Sequence, residues 1–113
     1  MDKLTEYPQM IERILTEYVE LCNRRHNPDL ETFLIVDKPK GHYIWMNLGW
    51  PNSERLMGIT VYVRLKDSKF WIEEDWTEEG IATDLVRAGV DKEDIVLAFH
   101  EPKMRSYTDF AVA

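Results

Sequence analysis

Cys22 and His26 stand four residues apart, one helical turn, a spacing that puts two metal-binding side chains on one face. A zinc centre needs three or four converging ligands. No second pair stands at ligand spacing, and His42 and His100 are isolated. Cys22 reads more simply as the last member of a buried helical stripe, so no metal or cofactor is expected. Carboxylates are the other candidates. Glu73, Glu74, Asp75, Glu78 and Glu79 crowd into seven positions, and Glu73, Asp75 and His100 could form a small acid–base set. In a strand only Glu73 and Asp75 would share a face. The chain has no nucleophile elbow, no phosphate-binding glycine loop and no zincin helix. Asp67-Ser68-Lys69 has the D-x-K end of a nuclease motif, but it sits at a turn and lacks the preceding acid. The favoured expectation is therefore a non-catalytic protein, with the acid–base enzyme as its alternative.

Charge and aromatic rings point towards binding. The 113 residues carry 14 basic and 21 acidic groups, a formal charge of −7. Residues 73–101 hold ten of the acids (among them Glu73, Glu74, Glu78, Glu79, Glu93 and Asp94) against Arg87 and Lys92. Phosphate-backbone affinity comes from many Lys and Arg contacts, so direct non-specific DNA binding is not expected. The acidic segment reads either as a solvated face or as a docking surface for a basic partner. In the run from 42 to 50, Ile44, Met46 and Leu48 alternate with Tyr43 and Trp45. If the aliphatic set faces the core, the opposite sheet face carries Tyr43, Trp45, Tyr62 and Trp71, with Asn47 and Arg64 nearby. Those rings are then covered by the tail or second helix, or form a subunit or partner interface. A third use, stacking of single-stranded bases, would need a cationic groove. Trp76 adds a further candidate anchor. Self-association into a dimer or larger oligomer is expected.

The elements that must position these groups follow from periodicity. Leu4, Ile11, Ile14, Leu15, Tyr18, Val19 and Cys22 recur at helical spacing, so residues 4–22 form an amphipathic helix. Thr5 is its expected N-cap, which leaves Pro8 in the first turn, where no donor is needed. Strands are expected at 31–38, 42–50, 55–66 and 70–74, separated by Pro39-Lys40-Gly41, Pro51-Asn52-Ser53 and Asp67-Ser68-Lys69. In the third, Met57, Ile59, Val61, Val63 and Leu65 alternate with polar residues. Turns this short join neighbours, so the strands make an antiparallel meander. A second helix spans 77–88 with Thr77 as cap and Gly89 after its end, one turn forms at 91–94, and a short fifth strand runs from 95 to 99. The fold class is α+β: one domain over 1–113, with a four- to five-stranded antiparallel meander sheet and the N-terminal and second helices packed on one face. The core should include Ile11, Leu15, Tyr18, Ile35, Ile44, Met46, Ile59, Val61, Val63, Leu85 and Val96. The single cysteine excludes an internal disulfide. No apolar run approaches the roughly 18 residues of a membrane span, and no signal peptide is visible. A cytoplasmic protein is expected.

The C-terminal third is the most specific part. It reads Asp75-Trp76-Thr77-Glu78-Glu79-Gly80-Ile81-Ala82, Asp84-Leu85-Val86, Gly89-Val90-Asp91-Lys92-Glu93-Asp94-Ile95-Val96-Leu97-Ala98-Phe99-His100, Pro102 and Arg105-Ser106-Tyr107-Thr108-Asp109-Phe110-Ala111-Val112-Ala113. This run strongly resembles the XisI family, the fdxN element excision controlling factors of cyanobacteria. Met1-Asp2-Lys3-Leu4 and the hairpin over 62–71 are also similar to it, so the resemblance covers essentially the whole chain. It implies a regulatory role in programmed, site-specific excision of a DNA element, without a transferable catalytic motif. It also implies a DNA-handling partner, the nuclease-like XisH. The acidic groups would then steer a basic partner, and rings such as Trp71 and Trp76 would anchor it.

Overall fold

The computed structural model describes residues 2–25 and 27–113. Helix α1 spans Lys3–Arg24. Asp2 caps it, its carboxylate accepting from the Leu4 N–H at 3.1 Å and from the Thr5 hydroxyl at 3.0 Å. The cap is thus Asp2 and not Thr5, because a carboxylate one turn earlier meets the free donors first. Pro8 consequently lies past the first turn, where it removes a backbone hydrogen bond. Tyr7, Ile11, Ile14, Leu15 and Val19 form the buried stripe, while Cys22 is exposed rather than part of it.

Strands β1 (Leu30–Asp37), β2 (His42–Gly49), β3 (Leu56–Lys66) and β4 (Lys69–Asp75) follow in antiparallel succession. Gly41 makes the first turn at φ +75°, where a Cβ would lie 2.5 Å from the Leu65 carbonyl oxygen. The β3–β4 hairpin closes through Asp67 and Ser68, both at positive φ, the pattern of a type I′ turn that matches strand twist. Helix α2 (Ile81–Arg87) then carries the chain to β5 (Ile95–Leu97), which pairs with β4 in parallel. The sheet order is β1-β2-β3-β4-β5. It is therefore mixed rather than wholly antiparallel, because the helix between β4 and β5 returns the chain to the same end of the sheet. Both helices pack on one face, as expected of this α+β arrangement.

Two features re-face the sheet. In β2, Tyr43 and Trp45 point to the helices and are buried at 0% and 7% exposure. Ile44 and Met46 therefore point away and are only half-buried, the inverse of the expected assignment. In β3, Val61 faces Trp45 but Ile59, not Thr60, faces Met46, so Thr60 is a bulge. The extra residue keeps Val61 and Val63 in the core but turns Ile59 and Met57 outward. Ile35 also lies on the outer face, 40% exposed. Of the expected core, Ile11, Leu15, Val61, Val63, Leu85 and Val96 are buried, and Tyr18 packs against the core half-buried. Ile35, Ile44, Met46 and Ile59 lie outside it.

Candidate interaction surface

The outer face of β1–β3 is built by cross-strand pairs. Phe33 pairs with Met46 and Ile35 with Ile44 between β1 and β2. Ile44 pairs with Tyr62, and Met46 with Ile59, between β2 and β3. Leu48 and Met57 extend the same face, and Met57 is 69% exposed. Apolar residues thus occupy both faces of these strands. Such near-continuous runs belong to sheets covered on both sides, yet helices cover only one. A hollow of about 400 Å³ lies here between Met46, Met57, Gly58, Ile59 and Glu74. Glu74 reaches this face because β4 carries its own bulge at Glu73, which sets Glu74 opposite Tyr62.

The C-terminal tail deals with the other end of the sheet. Ala111 bridges to Val96 in parallel and its N–H donates to the Ile95 carbonyl at 2.9 Å, closing the free edge of β5. Arg105 holds the tail in place. Its guanidinium donates to the carbonyls of His100 and Ala98 at 3.1 and 3.2 Å. It also lies 5.7 Å from the centre of the Trp71 ring, which Lys66 approaches at 4.9 Å. Arg105 was not singled out in the sequence, because its partners are backbone carbonyls that no residue pattern marks.

Each candidate residue can now be placed. Tyr43 and Trp45 belong to the core and offer no surface to a partner. Trp45 stacks on Tyr18 with centroids 5.6 Å apart. Tyr62 is half-buried on the outer face, its hydroxyl 2.8 Å from His42 Nδ1. Trp71 is half-buried beside the tail, its indole N–H donating to the Lys66 carbonyl at 3.1 Å. Trp76 is 76% exposed, and its backbone N–H donates to the carbonyl of the bulged Thr60, which fixes it beside the outer face.

The acids divide similarly. Glu73 pairs with Arg64 at 3.0 Å and Glu79 with Arg87 at 3.1 Å. Asp94 is buried, where it accepts from the Tyr7 hydroxyl at 2.7 Å and pairs with Lys3 at 2.8 Å. It is a structural anchor rather than a steering charge. Burial opposes its ionisation, but the hydrogen bonds from Lys3 and Tyr7 outweigh that and hold its carboxyl below the ordinary range. Glu78 and Glu93 remain exposed. Asp75 organises the loop into α2. One oxygen accepts from the Thr77 N–H and hydroxyl at 2.9 and 2.6 Å, the other from the Ile81 N–H at 2.6 Å. That satisfies α2's first N–H from outside, so the helix begins at Ile81 and Thr77 does not cap it. No hydrogen bond joins any two of Glu73, Asp75 and His100, and His100 packs on Phe99 at 4.6 Å between centroids.

On the helix side, a cleft of about 560 Å³ separates α1 from α2, lined by Arg13, Glu17, Tyr18, Asp84 and Arg87. The Tyr18 hydroxyl donates to Asp84 at 2.6 Å. Burial, and then this carboxylate, push the Tyr18 hydroxyl up to about 12. Among the described residues no three His, Cys, Asp or Glu converge to hold a metal ion. The proposed Cys22–His26 pair falls partly outside them, since His26 is not described. No helix among them is long and apolar enough to cross a membrane.

Comparison with known proteins agrees with this architecture. A XisI-like protein from Anabaena variabilis is 36% identical, with 97% of this chain and 99% of that one covered and a TM-score of 0.90. The fdxN element excision controlling factor XisI from the same cyanobacterium is 38% identical, with 99% of this chain and all of that one covered and a TM-score of 0.86. No curated protein sequence matches. The family model for XisI protein matches residues 1–112, and the chain belongs to the XisI family.

Proposed function

We infer that this chain is a non-catalytic accessory protein of DNA-element excision, acting by binding a DNA-handling, XisH-like protein through the outer face of its sheet. The observation that carries the reading is the uncovered apolar surface over β1–β3. Contiguous exposed apolar patches on water-facing proteins mark interaction sites. Ile44, Met46, Ile59 and Tyr62 form its centre, Met57 extends it as an exposed side chain, and Trp76 stands at its edge as an exposed ring. Glu74 supplies negative charge beside it, and the chain as a whole carries −7, which suits a partner made basic by its own contact with nucleic acid.

Co-purification with the neighbouring XisH-like protein tests the reading. Wild type should form a complex that weakens as salt rises, because the flanking acids act over distances that salt screens. Met57→Lys puts a charge on an exposed apolar residue of the patch and should weaken the complex about tenfold or more. Absence of a complex at low salt would remove the proposal. Loss of the complex with Cys22→Ser as well as with Met57→Lys would show that the effect is not specific to this face.

A further inference from the structure

We propose that two copies of this chain associate through the free edges of β1, pairing them antiparallel across a two-fold axis into one ten-stranded sheet. The hydrogen-bond pattern of β1 supplies the argument. The Trp50 N–H donates to the Asp29 carbonyl, and the Leu65 N–H to the Gly41 carbonyl. In an antiparallel ladder the bonded pairs alternate, so with Leu30 opposite Gly49 and no shift along the ladder, the odd residues of β1 bond to β2. The peptide groups of Leu30, Thr32, Leu34 and Val36 turn to the open side. Leu30 is satisfied locally by the Asn27 carbonyl, and the Thr32 carbonyl accepts from the Asn23 side chain. Among the described residues the N–H groups of Thr32, Leu34 and Val36 and the carbonyls of Leu34 and Val36 have no partner. The two outward-turned groups that have local partners agree with the deduced pattern.

Sheet edges are ordinarily blunted by short length, Pro, Lys, a bulge or a covering segment. The β5 edge follows that rule, being three residues long and bridged by Ala111. The β1 edge breaks it. It runs eight residues, has no bulge, and contains Phe33-Leu34-Ile35-Val36 with no Pro or Lys. A second copy of the same strand is the occupant that fits. With Leu34 facing Leu34 across the axis, Thr32 faces Val36, and the outward groups of Thr32, Leu34 and Val36 find donors or acceptors in about six interstrand bonds. On the outer face, Phe33 of one copy then faces Ile35 of the other. The apolar surface of each copy becomes continuous with its neighbour's.

The same register sets Glu31 opposite Asp37 at both ends and brings together two chains of charge −7 each. Self-association should therefore strengthen with added NaCl, the opposite sign from partner capture, so the two ideas fail separately. The mass of the isolated chain, measured by light scattering or sedimentation from about 1 to about 100 μM, should rise to twice 13.4 kDa. It should do so at lower concentration in about 0.5 M than in about 0.05 M salt. The amide of Val36 donates nothing to β2, so Val36→Pro leaves the internal ladder intact and should raise the dissociation constant at least tenfold. Ile35→Lys, on the exposed side, should do the same without touching the core. In wild type the Leu34 and Val36 amides should exchange slowly at high concentration and quickly at low. A monomer at every concentration and salt overturns the proposal. So does a dimer in which those amides stay unprotected and Ile35→Lys has no effect.

Discussion

Asp94, just before β5, is tied to the start of α1 through one oxygen, since Oδ2 takes both the Tyr7 hydroxyl and the Lys3 ammonium. Its folded-state pKa lies below the ordinary 3.8. The stability it adds is therefore complete above that value and is lost as pH falls through the lower folded one. Tyr7→Phe removes one of the two donors and should cost about 1–2 kcal/mol, read as a lower urea midpoint at neutral pH. The alkaline side has the reverse sign. Burial, then the hydrogen bond to Asp84, raise Tyr18 to about 12, and Tyr7 is raised for the same kinds of reason. Their contribution is complete below the unfolded tyrosine value of about 10 and is lost as pH rises above it. Tyr18→Phe should flatten the fall in melting temperature above pH 10 or so. Tyr43 differs: among the described residues its buried hydroxyl has no hydrogen-bond partner, and burial pushes it up. Tyr43→Phe should therefore leave thermal stability unchanged or raise it by up to about 1 kcal/mol, measured by calorimetry.

At the scale of elements, the loop from β4 into α2 hangs on Asp75, whose carboxylate accepts three hydrogen bonds. Asp75→Ala should destabilise by about 2–3 kcal/mol, since charged acceptors hold their donors more strongly than neutral ones, and chemical denaturation reads this directly. Elements were legible where one face was clearly apolar. The α1 stripe Ile11, Ile14, Leu15, Val19 and the hairpin turns at Gly41 and Asp67-Ser68 needed no more than spacing. The facing of β2 was not legible, because Ile44, Met46 and Leu48 on one side and Tyr43 and Trp45 on the other are both apolar, and alternation then has no sign. Nor was the start of α2, where a loop carboxylate replaced the expected Thr77 cap. The parallel placement of β5 depends on how α2 packs, which three strand residues do not encode. In the candidate site, Tyr62, Trp76 and Glu74 were accessible to sequence reasoning, while Ile35, Ile44, Met46 and Ile59 were assigned to the core that they face away from.

For the whole molecule, charge and apolar surface act on different associations. Partner capture through the outer face should weaken with salt and self-pairing of β1 should strengthen with it. A titration of both in one buffer series separates them, since a common direction would contradict one. A two-fold assembly would also present two partner sites on one continuous sheet. That raises the apparent affinity for any partner with two copies of the matching surface, by effective concentration alone.

The bulge at Thr60 has a consequence for what the outer face offers. One extra residue decides which alternating set of β3 meets the helices and which meets the outside world. Were the strand to slide one place so that Thr60 lay opposite Met46, Ile59 and Met57 would turn towards the helices. Thr60 and Gly58 would replace them outside, and the greasy patch would lose its middle without a change of sequence.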